Sequence, residues 1–101
     1  MPLMELSYQE GAISPETRDQ LVETLTTDLL SAEGAPNTEF FRSVTWVLVN
    51  ERPAELVYAG DKPGAGVVKL EVATPEGALD DERRAQMIRN GTAAIREAFG
   101  V

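Results

Sequence analysis

The chain has 101 residues, 43% of them hydrophobic, which is enough for one domain with a core and few enough that association would bury more surface. Nine basic against 17 acidic residues leave a net charge of -8, which repels nucleic-acid phosphates and anionic membranes. The sequence has no histidine and no cysteine, which excludes imidazole acid-base chemistry, thiol nucleophiles and the usual zinc ligands; carboxylates, amines and hydroxyls remain.

Pro2 comes first in chain order and is the most informative residue. Removal of an initiator methionine is efficient when the next side chain is small, so a mature chain beginning at Pro2 is expected. A terminal proline carries a secondary amine in a rigid ring, and in a dry pocket that amine loses its proton near neutral pH and serves as a general base. No apolar run reaches the length of a membrane span and the first residues lack the blocks of a signal peptide, so a soluble, cytoplasmic protein is expected.

Leu3 to Tyr8 alternate apolar and polar as a half-buried strand does, and Glu10-Gly11-Ala12 turns the chain. Ser14-Pro15-Glu16 then reads as a helix start, with serine as cap, proline pre-shaped for the first position and glutamate at the positive end of the dipole. Leu21, Val22, Leu25, Leu29 and Leu30 give that helix one apolar face, and Gly34-Ala35-Pro36 ends it. Val44 to Val49, around Trp46, is the most strand-like stretch, expected parallel to the first strand through a right-handed crossover. Glu51 to Gly66 reads as a long loop with one extended piece over Leu56 to Tyr58.

The design then recurs 66 residues on. Leu70-Glu71-Val72 echoes Met4-Glu5-Leu6, and Glu76-Gly77-Ala78-Leu79 echoes Glu10-Gly11-Ala12-Ile13. A second helix starts at Asp80 or Asp81, runs through Met87, Ile88, Ile95 and Phe99, and meets Gly100. Asn90-Gly91-Thr92 has the form of a glycosylation acceptor but falls inside this helix. One α+β domain over residues 1–101 is expected, with a pseudo-repeat of 2–50 and 67–101, a mixed sheet and two helices on one face.

Pro2 ahead of a strand, Glu10-Gly11, a helix, a Gly-Ala-Pro break, a second strand and a repeat together resemble the tautomerase superfamily, which includes 4-oxalocrotonate tautomerase, macrophage migration inhibitory factor and malonate semialdehyde decarboxylase. The duplicated layout is similar to the long members, and Arg52-Pro53-Ala54-Glu55 looks like the corresponding stretch of the decarboxylase branch. Long members add another strand after the second helix, so the resemblance implies a sheet one strand short here, with an edge for a neighbouring subunit to cover. The resemblance implies a cofactor-independent homotrimer using Pro2 as acid and base on a small enol or 2-keto acid, with Leu3, Met4 and Leu6 helping to wall the amine. Val68 stands where Pro2 stands in the first unit, so only the first unit has an amine to titrate.

The sequence departs from the family where substrate carboxylates are bound. Ala12 follows the Glu-Gly pair in place of an arginine, Thr45 falls at or near a second arginine, and Thr74 and Glu76 flank Pro75 where the decarboxylase carries two more. Arg42, just before the second strand, is then the candidate cation, Glu39 the candidate for orienting water, and Tyr58 a candidate oxyanion donor. Each has a structural reading as well: Arg42 as surface, Glu39 as a turn carboxylate, Tyr58 as an edge-strand ring, Phe40 and Phe41 as a core or interface plug, Trp46 as sheet core or subunit contact. The competing assignments are a non-catalytic binding or assembly module on the same scaffold, related hydratase, dehalogenase or decarboxylase chemistry, and a ferredoxin-like regulatory domain.

Overall fold

The structure, a computed structural model, describes residues 2–64 and 66–101; Met1, and with it the expected removal of that residue, lies outside them. Strand β1 (Leu3–Gln9) is the middle of a three-stranded sheet, between β2 (Trp46–Arg52) and β5 (Lys69–Ala73). Its alternation is realised in full: Met4, Leu6 and Tyr8 are buried beneath the helices, and Leu3, Glu5 and Ser7 face the other way. Helix α1 (Pro15–Glu33) begins where expected, with the Ser14 hydroxyl accepting from the Thr17 amide at 3.1 Å, and stops at Gly34, whose φ of 69° closes the last turn. Leu21, Leu25 and Leu29 on its inner face complete the core with Met4, Leu6 and Tyr8. Burial of this kind contributes roughly 1.5–3 kcal/mol per large side chain.

A short helix, α2 (Glu39–Ser43), follows, capped by Thr38 and not anticipated by the sequence pattern. It takes Val44 and Thr45 as its exit, so β2 (Trp46–Arg52) starts two residues later than expected and runs on through Glu51 and Arg52. β2 pairs parallel with β1, Leu3 opposite Trp46 and Gln9 opposite Arg52. The expected loop contains a 3-10 helix (Ala54–Leu56) and a two-stranded arm, β3 (Tyr58–Ala59) and β4 (Lys62–Pro63). β5 (Lys69–Ala73) returns antiparallel to β1, and α3 (Asp81–Phe99) lies beside α1 on the same face of the sheet.

The two helices have 19 residues each and stand 66 positions apart at both ends. The turn glycines ahead of them, Gly11 and Gly77, have φ near 80° with open space around them, a conformation that glycine adopts without strain. The repeated Glu-Gly pair thus serves the turn. The opposite face of the sheet is uncovered and carries Leu3, Trp46 (54% exposed) and Leu48 at one end and Glu5, Ser7, Asn50, Lys69 and Glu71 towards the other.

Candidate functional site

Pro2 heads the central strand and is half-buried; its carbonyl accepts from the Trp46 amide at 3.1 Å. Carrying the register back by one residue sets Thr45 on one side of Pro2 and Thr74 on the other. Two of the four positions marked as departures therefore flank the proline directly. The buried Thr45 hydroxyl is committed, donating to the Phe41 carbonyl at 2.8 Å. Met4 and Leu6, expected to wall the amine, are core residues under the helices instead, because the strand alternation turns them there, and Leu3 lies on the uncovered face.

α2 brings Glu39 and Arg42 to the end of the sheet where Pro2 lies, through the link Val44-Thr45. Glu39 is the exposed first residue of the helix. Arg42 is turned onto α1: one guanidinium nitrogen donates to Thr27 Oγ1 at 3.1 Å and to Asn37 Oδ1 at 3.0 Å. These neutral acceptors hold the arginine in place, and no carboxylate pairs with it among the described residues. Phe40 and Phe41 stack edge-on at 5.4 Å on the surface, Phe40 at 66% exposure, so neither plugs the core of the protomer. Trp46, likewise, lies outside the protomer's core.

Tyr58 is not brought to Pro2 within one protomer. The arm that carries it leaves the sheet at Arg52 and rejoins it at Lys69, both at the far end of β1, about 20 Å from Pro2 at roughly 3.3 Å per strand residue. The arm closes on itself through Gly64, whose amide donates to the carbonyls of Ala54 and Val57. Arg83, exposed in the first turn of α3, reaches the end of α1, its Nη1 donating to the Glu33 carbonyl at 3.5 Å while it packs over Gly34. Only long-range geometry identifies that contact.

Carboxyls near this end respond to burial. Glu33, the last residue of α1, and Asp28, one turn earlier, are pushed above the ordinary carboxylate range by desolvation. At the far end the Tyr8 hydroxyl is buried without a hydrogen-bond partner among the described residues, and burial followed by the charge of Glu51 raises it. No group of three acidic side chains among the described residues converges as a metal site requires, and no helix among them is long and apolar enough to cross a membrane.

No protein-family model matches the sequence, and no curated protein matches it. Solved structures do share the fold. Over 98% of this chain, Pt0534 inactivated by 2-oxo-3-pentynoate superposes with a TM-score of 0.83 at 22% identity, and a fused 4-OT that forms a symmetric trimer with a TM-score of 0.81 at 20% identity; the chain covers 75% of each. Macrophage migration inhibitory factor of Toxoplasma gondii matches over the same 98% with a TM-score of 0.70 at 15% identity, 78% of its own length being covered. At these identities the likeness establishes the fold.

Proposed function

We propose that this chain, which has the tautomerase-superfamily fold, is a cofactor-independent acid-base enzyme of the keto-enol isomerase type. The Pro2 amine, freed by loss of Met1, takes the hydroxyl proton of a small enol acid and returns a proton to the conjugated carbon, leaving the 2-keto acid and a neutral amine. The observation that carries this reading is the position of Pro2: it is half-buried at the head of the middle strand of the sheet, with a neighbouring strand on either side of that strand. A terminal amine ordinarily titrates at about 7.7–8.0 and a proline amine somewhat higher, and partial burial favours its neutral form. That Pt0534 is inactivated by 2-oxo-3-pentynoate, an acetylenic ketone open to conjugate addition by an amine, supports the same chemistry.

In this reading Arg42 binds the substrate carboxylate, exchanging Thr27 and Asn37 for a charged partner, and Glu39 orients water at the same end of the sheet. Tyr58 contributes from the arm of a neighbouring copy. The uncovered apolar patch of Leu3, Trp46 and Leu48 supports association, and the trimeric fused 4-OT supports three copies as the assembly. The protein is then cytoplasmic, and its partners are a small-molecule substrate and its own copies. A second reading, an assembly module with a vestigial proline, is favoured by the two threonines beside Pro2 and by the commitment of the Thr45 hydroxyl to Phe41.

Ketonization of phenylenolpyruvate by the untagged protein separates the two. The enzyme reading expects turnover that falls at least about 100-fold in Pro2→Ala. It also expects 2-oxo-3-pentynoate to add its full mass to the tryptic peptide ending at Arg18. Equal rates in both proteins and an unmodified N-terminal peptide would leave only the scaffold.

A further inference from the structure

Thr26 and Thr45 are buried, and each hydroxyl donates to the carbonyl four residues back, at 2.8 Å. Thr26 does so inside the long helix α1, where the backbone is already fixed. Thr45 does so across a boundary. Its hydroxyl reaches Phe41 and its amide donates to the Arg42 carbonyl at 3.2 Å, both in α2, while the next amide, that of Trp46, donates to the Pro2 carbonyl at 3.1 Å. Consecutive residues thus tie α2 to the head of β1.

The tied helix contributes no buried side chain of its own. Anchoring it does little for the core; what the anchor fixes is the direction of α2. Five residues are far below the roughly 12–15 that hold together as a helix alone in water, so α2 takes its placement from such bonds. One strand spacing of about 4.8 Å and one step of about 5–6 Å between residues three apart separate the Arg42 stem from Pro2.

We infer that Thr45 is a positioning residue for Arg42: by holding the last turn of α2 against the entry of β2, it sets the stem from which the guanidinium meets a carboxylate bound beside Pro2. The inference rests on the proposed use of Arg42 as the carboxylate-binding cation. The tip of Arg42 is held separately, by Thr27 and Asn37, neutral acceptors that a carboxylate displaces because its bonds to a guanidinium are charge-assisted. Arg42 and Thr45 line the same cleft between α1 and β2, which leaves the guanidinium room to change partners while its backbone stays tied. The competing role is a purely local cap, since a threonine hydroxyl commonly bonds the carbonyl four residues back. A cap affects stability alone, whereas a positioning residue affects the grip on a negative charge.

The probe is 3-phenylpropanoate, a carboxylate without the keto group, titrated into the whole chain and followed by 15N shifts that include the Arg42 Nε–H; its uncharged primary amide is the control. Saturable binding that moves the Arg42 resonance is expected. Thr45→Val is expected to weaken binding of the acid about tenfold, with the affinity of the amide the same in both proteins, and Thr45→Ser to restore it. Thr45→Ala removes the same hydroxyl without adding apolar bulk, and the same weakening is expected. Arg42→Gln is expected to weaken binding at least as much, and Thr45→Val to add nothing in that background. Unchanged affinity in Thr45→Val and Thr45→Ala, effects that multiply in the double variant, or absence of saturable binding would each overturn the inference. Thr45-dependent binding without turnover of phenylenolpyruvate would remove the enzyme reading and leave the inference standing.

Discussion

The first and second units carry the same strand, turn, cap and 19-residue helix, and they differ in what lies outside the helix. Around α1, β2 and α2 turn a moderately apolar helix into the centre of the core, while α3 keeps an exposed row along its outer side. The lesson is that burial in this fold is set by the third element of each unit more than by the helix itself. Leu25 and Gly91 are the sharpest pair. Leu25 is fully buried, and its counterpart Gly91 sits where an added Cβ would meet the Leu70 side chain at 3.4 Å. The small residue lets α3 approach β5 closely.

The largest expected effect follows from that pair. Leu25→Ala is expected to cost about 2–5 kcal/mol by chemical denaturation, the range for an apolar cavity in a closed core. A loss under about 1 kcal/mol would mean that the first unit is no tighter than the second. Tyr8 joins the two units, its ring edge-on to Phe99 at 5.4 Å, and its hydroxyl is buried without a partner among the described residues. Tyr8→Phe keeps the ring contact and removes the unpaired group, so a gain of about 1 kcal/mol is expected; a comparable loss would reveal a hydrogen bond at that oxygen. Gly91→Ala is expected to stabilise by roughly 0.5–1 kcal/mol through helix propensity, with the flexible end of Leu70 yielding. Destabilisation would show that the contact with β5 is rigid.

The smallest effect concerns the helix ends, Glu33 and its counterpart Phe99. Burial raises the Glu33 carboxyl in the folded state, so the ionised form is disfavoured by folding at neutral pH, and the penalty disappears as pH falls through the carboxylate range. Glu33→Gln is therefore expected to raise the thermal midpoint by about 1–2 °C at pH 7 and to leave it unchanged near pH 3. A gain that grew on acidification would reverse the sign.

Much of this was legible in the sequence. Ser14, Pro15 and Gly34 mark α1, Asp80 and Gly100 mark α3, and the 66-residue echo announces the repeat, because caps, turn glycines and periodicity act over a few residues. α2 was not legible: five residues make too little helix to show a period, and the segment is tied down by Thr38 and by the bonds from Arg42 to Thr27 and Asn37. The shift of β2 follows from it. Of the candidate site, Pro2, Glu39 and Arg42 share one end of the sheet, as the sequence order suggested. The placement of Tyr58 at the other end depends on the parallel register, which no local signal encodes. An open edge of the sheet was expected from the sequence, but which helix side chains it leaves exposed was not legible, since Ile88 and Val22 look alike until their neighbours are known.

A pH titration of the Pro2 nitrogen by 15N NMR in the untagged protein tests its role most directly. The account predicts a free secondary amine that loses its proton close to neutral pH. A nitrogen that is acylated, or that stays protonated well into the alkaline range, would contradict it.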